Sequence, residues 1–218
     1  VDLFSRSWSA LRATVAELHD EDFALPSGCT GWLVRDLVCH LLIGAQDILI
    51  TLVSPADAAP TRTALSYWEI DTTTPTGDDP LDALIVRLAA AYREPQLLKL
   101  HFDDVGSAAG RAAELADPGQ CVATRGEVLT IADYLGAYVL EWTLHHLDLI
   151  AQLPGEPEPP ADSLAHARRM LEQITGATFP PALSDRDALL IGTGRRAASD
   201  NERAELGDLA GKLPFVLG

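Results

Sequence analysis

Apolar residues along most of this chain recur at three- and four-residue intervals, the period of a helix with one buried face. Leu3, Phe4, Leu11, Val15 and Leu18 form such a stripe, with Trp8 between them, and predict a helix over Asp2 to Leu18. Leu33, Leu37, Leu41, Ile48 and Leu52 predict a second over Trp32 to Val53, after a loop whose Pro, Gly and acidic residues occupy His19 to Gly31. A third helix is expected over Leu81 to Arg93, introduced by Asp79-Pro80 and stopped near Glu94-Pro95. Gln96 to Phe102 reads as a short helical run, Asp103 to Gly106 as a break, and Ser107 to Ala116 as another short helix. Thr130, with Asp133 three residues on, caps a long helix that should run to about Leu153. Beyond Pro154 to Asp162, a Pro-rich hinge, Ser163 to Thr175 and Asn201 to Leu213 predict two more helices, the last capped by Ser199 or Asp200. Ser54 to Pro80 is a long connection with an apolar island at Leu65 to Trp68, the length of a lid or binding loop. Long helices with no alternating strand pattern predict a mainly α protein, a helical bundle. Its expected parts are a bundle at 1–153, a linker at 154–162 and a short, mostly helical extension at 163–218.

Within Tyr134 to Gln152 the polar residues are not scattered. At about 100° per residue, Tyr134, Tyr138, Glu141, His145, Asp148 and Gln152 fall inside an arc of roughly 80°. An apolar stripe of Ile131, Leu135, Val139, Trp142, Leu149 and Leu153 runs beside them. A solvated face would carry lysines and arginines, and this one has none. Glu141 and His145, four apart, project from one face one turn apart, a spacing suited to gripping a metal ion. His40, at the margin of the second helix's apolar face, is the candidate third ligand, and Gly44 one turn later would leave room for an ion. A hydrogen-bonded core network is the alternative reading of the same residues. Asp148, three after His145, and Asp36, four before His40, are candidates to accept the second ring N–H of a ligand histidine. Tyr138 and Tyr134 could orient a substrate by hydrogen bonds.

Charge and cysteine content narrow the partners. The 218 residues carry a net charge of −16, which argues against nucleic acid or an anionic membrane surface as partner. Cys29, Cys39 and Cys121 follow no metal or CxxC spacing and suit a reducing, cytoplasmic setting. Cys29 and Cys39 read as packing thiols. No basic-then-apolar leader is visible, and the most apolar stretch, Leu37 to Val53, is interrupted by His40, Gln46 and Asp47, so a membrane span is not expected. Gly192-Thr193-Gly194-Arg195-Arg196-Ala197 fits a dinucleotide-loop pattern formally, but lacks the βαβ context and reads as a turn with exposed arginines.

Two motifs carry a resemblance. Cys29-Thr30-Gly31-Trp32-Leu33-Val34-Arg35-Asp36-Leu37-Val38-Cys39-His40, and Glu141-Trp142-Thr143-Leu144-His145 followed by Leu147-Asp148, resemble the signatures of the mycothiol-dependent maleylpyruvate isomerase N-terminal family, within the DinB-like metalloproteins. The resemblance covers residues 1 to 153. It implies a four-helix bundle with a divalent metal, usually zinc, on His40, Glu141 and His145. It also implies mycothiol or a related small thiol as cosubstrate, attacking a small electrophile in an isomerisation or S-transfer. The characterised isomerase carries a larger C-terminal α/β domain that contributes a substrate-binding arginine, whereas the tail here is short and helical. A metal-binding protein without turnover, serving as a sensor or interaction module, is the alternative.

Overall fold

The computed structural model describes residues 1–71 and 80–217. Residues 72–79, including the Asp79 expected to introduce a helix, lie outside the described residues. Four helices close the bundle: α1 (Asp2–Glu17), α2 (Val34–Leu52), α4 (Pro95–Leu115) and α5 (Ile131–Leu149). α1 packs on α4 and α5, α2 packs on the same two, and α3 (Pro80–Ala91) lies against α2. The predicted mainly α, DinB-like bundle is therefore the fold observed.

Local chemistry explains where the elements start and stop. Lys99 donates to the Ala16 and Leu18 carbonyls at 2.8 and 2.7 Å, placing a cation at the carbonyl end of α1. Thr130 accepts from the Asp133 N–H at 3.0 Å and starts α5, as its sequence signals. α5 ends at Leu149, not Leu153. The Asp148 carbonyl, which would accept from Gln152 in a longer helix, accepts instead from the Gly28 N–H at 2.8 Å.

Two expectations fail for reasons visible in the packing. α4 is continuous across the expected break at Asp103 to Gly106. Leu98, Phe102, Ala109 and Ala113 share its buried face, and the bare Gly106 admits the Trp8 ring, whose Nε1 donates to the Gly106 carbonyl at 2.8 Å. A Cβ at Gly106 would stand 3.0 Å from that ring. Here the helix accepts the cost of glycine for a close approach. The chain also contains a hairpin, β2 (Cys121–Thr124) with β3 (Glu127–Thr130), closed by Arg125 and Gly126 at φ 48° and 83°. Only Val122 and Leu129 of its strands are buried, too short an alternation to signal a strand.

The tail does not stand apart from the bundle. α6 (Ala161–Thr175), α7 (Asp185–Gly192) and α8 (Asp200–Leu206) build a second core, with Met170, Leu171, Phe179, Leu189 and Ile191, against Leu140, Leu144 and Leu147 of α5. α5 is thus buried on two opposite sides. Arg168 secures the α6–α7 loop by donating to the carbonyls of Phe179 and Leu183 at 2.8 and 2.9 Å. Near the end of the chain, β4 (Val216–Leu217) pairs antiparallel with β1 (Ile70–Asp71), tying the tail to the long connection. His146 is fully buried, sharing hydrogen bonds with the Thr14 hydroxyl at 3.0 Å and the Pro157 carbonyl at 3.1 Å. No helix among the described residues is long and apolar enough to cross a membrane.

The room expected beside His40 at Gly44 is taken by Trp142, whose ring a Cβ at Gly44 would meet at 2.9 Å. Trp142 is itself wedged between Trp8 and Tyr138, with ring centroids at 4.6 and 5.0 Å. Gly44→Ala gains roughly 1 kcal/mol of helix propensity but overpacks a rigid contact at a cost of about 1–3 kcal/mol. A urea titration is expected to find the variant less stable than the wild type; equal or greater stability would show that the α2–α5 contact yields.

Candidate metal centre

α2 and α5 face one another at His40, Glu141 and His145. His40 Nε2 lies 3.3 Å and His145 Nε2 3.2 Å from the same carboxylate oxygen, Glu141 Oε1. The two imidazoles stand edge to face with centroids 4.8 Å apart. These three groups form one of two clusters among the described residues whose potential ligand atoms all lie within 4.8 Å of one another. The side chains retain 29, 21 and 13% exposure respectively, so the convergence point is reachable from outside. Two nitrogens and one oxygen, on a tetrahedral ion with bonds of about 2.0–2.2 Å, would be spaced roughly 3.3–3.5 Å apart. The two nitrogen-to-oxygen spacings are close to that requirement. Three protein ligands leave a fourth position open, the pattern of catalytic zinc sites.

Without a cation the three groups compensate one another. Burial opposes both charges, but attraction to His145 holds the Glu141 carboxyl well below the usual carboxylate range. The same burial is overridden at His145 by Glu141 and by the Asp148 hydrogen bond, which hold its imidazolium well above the ordinary histidine range. A divalent ion bound there would replace the proton in this arrangement.

Asp148 stands behind His145. Its Oδ2 is 3.0 Å from His145 Nδ1, the relation expected from the sequence. It fixes the tautomer that leaves Nε2 directed at Glu141. Asp148 is only 1% exposed, and two residues missed by sequence reasoning hold it there. Arg195 grips it with two bonds, Nε to Oδ1 at 2.8 Å and Nη2 to Oδ2 at 2.9 Å. The Cys29 thiol donates to Oδ2 at 3.3 Å and lies 3.8 Å from His145 Nδ1. The Gly-Thr-Gly-Arg segment is a turn, as expected, but its first arginine turns inward and is one-fifth exposed. Arg196 stays nearer the surface and pairs with Asp187 and Glu202, both at 2.8 Å.

Cys29 is delivered by close backbone contact. The Gly28 N–H bonds the Asp148 carbonyl, and a Cβ at Gly28 would lie 2.6 Å from Asp148 Oδ1, so only glycine fits. Burial pushes the Cys29 thiol above its ordinary value, so it serves as a neutral donor and not as a packing group alone. Cys29, His145 and Asp148 are the second ligand-capable cluster. Arg195 already neutralises its carboxylate, which makes it a poor seat for a cation. Cys39 is a core thiol, as expected.

Asp36 does not support His40. Its Oδ2 accepts the Leu33 N–H at 2.9 Å and caps α2, so it sets where the helix begins. Trp32 packs on the His40 ring instead, with centroids 5.2 Å apart. Tyr138 lies one turn before Glu141 and is nearly buried, stacked with Tyr134 at 5.0 Å and Tyr67 at 6.4 Å. Burial raises both α5 tyrosines, Tyr134 to about 12, so their hydroxyls stay protonated and cannot act as bases. Tyr67 comes from the apolar island of the long connection, and the adjacent Trp68 donates to the Ala137 carbonyl at 3.2 Å.

Attraction to Arg195 overrides the burial of Asp148 and lowers its pKa in the folded state. Such a carboxylate contributes stability that is present above its unfolded value, about 3.8–3.9, and lost as pH falls toward its folded value. Arg195→Ala leaves that charge buried without its main partner, and unfolding at neutral pH is expected to become easier by about 3–5 kcal/mol. The gap between wild type and variant should narrow below about pH 4. A gap that is small at pH 7, or independent of pH, would mean that the pair does not hold the tail to α5.

No curated protein and no solved structure matches the chain. The model of the mycothiol maleylpyruvate isomerase N-terminal domain matches residues 4–150, two thirds of the sequence and nearly all of the bundle. That span contains all three convergent side chains, and the chain belongs to this family.

Proposed function

We propose that the protein is a metal-dependent enzyme in which His40, Glu141 and His145 hold a divalent ion, zinc by the character of the donors, for use with a small thiol. The observation that carries this reading is the convergence of two imidazole nitrogens on one carboxylate oxygen at 3.2–3.3 Å. Nitrogen-rich ligation favours zinc and its transition-metal neighbours over magnesium or calcium, which take oxygen. When bound, such an ion supplies the positive charge that stabilises a thiolate over its thiol at neutral pH. The family's description points to mycothiol as that thiol. Addition to a small electrophile followed by elimination gives isomerisation, and addition alone gives S-transfer. The unit that does this is residues 1–153, with 154–162 as linker and 163–218 as an extension that supplies Arg195.

The chain's own groups have distinct tasks. Asp148 accepts a hydrogen bond from the Nδ1–H of His145 and keeps Nε2 free to ligate. Arg195 and Cys29 hold Asp148 in the position that does so. Tyr138, protonated and one turn from Glu141, orients the thiol or the electrophile by donating a hydrogen bond. The three free cysteines suit a reducing compartment, the cytoplasm. A non-catalytic, metal-binding role shares every ligand and differs in having the fourth position closed to thiols.

Cobalt substitution separates the two. Adding mycothiol, or cysteine as a simple surrogate, to the cobalt-loaded protein is expected to produce a sulfur-to-metal charge-transfer band in the near ultraviolet. Tyr138→Phe should keep the metal and weaken thiol affinity by about tenfold, one hydrogen bond's worth. A cobalt spectrum that no thiol perturbs would exclude the thiol-dependent reading and leave the binding role.

A further inference from the structure

Away from the metal centre, a cavity of about 210 Å³ opens where the 3₁₀ turn Asp20–Ala24, the first turn of α2 and the α3–α4 junction meet. None of its lining residues belongs to the site described above. Its floor is apolar: Phe23 and Leu98 are 2% and 1% exposed. The Tyr92 hydroxyl is engaged with His101 Nδ1 at 2.7 Å, and its ring forms part of the wall. A cavity lined by hydrocarbon that holds a single benzene ring measures about 150 Å³, so this one accepts one ring with a substituent.

Two arginines at this cavity make no side-chain hydrogen bond among the described residues. Arg35 Nε is buried with no hydrogen-bond partner: its ion pair with Asp36 Oδ1 spans 3.6 Å, too long for a hydrogen bond. Arg93 has no ion-pair partner among the described residues, and its backbone sits at φ 55°, where glycine is at ease and other residues are strained. A strained non-glycine backbone at a cavity rim points to a demand on the side chain it carries. Of the two carboxylates in the lining, Asp20 is occupied by the Gln96 amide at 2.7 Å. Glu94 remains to accept a hydroxyl.

We infer that this cavity binds a small aromatic carboxylate, its carboxylate between Arg35 and Arg93 and its ring on Phe23 and Leu98. A planar carboxylate is the natural complement of guanidinium groups, and the apolar floor distinguishes it from a bare inorganic anion. The inference is independent of the metal reading, because no residue is shared.

Calorimetric titration of the full chain with benzoate tests it. One saturable site with a Kd near or below about 1 mM is expected, and it should persist in His145→Ala, which places it outside the metal cluster. Arg93→Gly and Arg35→Gln should each weaken binding by about tenfold or more. Arg93→Gly should do so with its melting temperature unchanged or raised, since it relieves the left-handed strain, so that lost binding cannot be lost folding. Benzyl alcohol, with the ring and no charge, should bind about tenfold more weakly. No saturable binding of benzoate, both arginine variants within about twofold of wild type, or equal affinity for inorganic phosphate would overturn the assignment.

Discussion

A buried carboxylate must be compensated, and in this protein that requirement reaches across the whole fold. Asp148 is 1% exposed at the end of α5, and its oxygens receive an imidazole, a thiol and a guanidinium. Those donors come from three separate parts of the chain: α5 itself, the loop before α2, and the turn after α7. Meeting one charge therefore fixes the end of α5, brings the 26–33 loop onto it and docks the tail. It also sets the orientation of His145, and with it the meeting of α2 and α5 at Glu141.

This explains why α5 looks unlike an ordinary amphipathic helix. One face enters the bundle core through Leu135, Val139 and Trp142, and another meets the tail through Leu140, Leu144 and Leu147. The polar stripe occupies the seam between them. A seam walled by two cores can hold ionisable groups at fixed separations while leaving one edge open, which a loop could not do with the same rigidity. The aromatic stack from Tyr67 through Tyr138 to Trp142 and Trp8 extends that rigidity into the bundle.

Much of this was legible in the chain. The spacing of Glu141, His145 and Asp148 depends only on helical geometry, so the stripe could be read directly, and the apolar periodicity located α1, α2 and α5 to within a few residues. What escaped depends on partners distant in sequence. Arg195 finds Asp148 from 47 residues away, and Cys29 finds it from 119; neither carries a local signal beyond the neighbouring glycines. Gly28 is a glycine because backbone meets side chain there, a constraint invisible without the fold. Asp36 illustrates the converse: spacing from His40 suggested support for a ligand, but its position in the first turn of α2 made capping the stronger demand. The expected break in α4 fails similarly, because what Gly106 does there depends on the Trp8 ring that packs on it.

The central claim is that Glu141 is a ligand and not merely the hydrogen-bond bridge between two core histidines. Elemental analysis of protein purified without chelators, beside Glu141→Gln and His145→Ala, tests it most directly. About one equivalent of zinc in the wild type, strongly reduced in both variants while their helical content is retained, is the expected result. A wild type that holds no metal, even after zinc is restored and free ion removed, would contradict it and make the cluster a hydrogen-bonded part of the core.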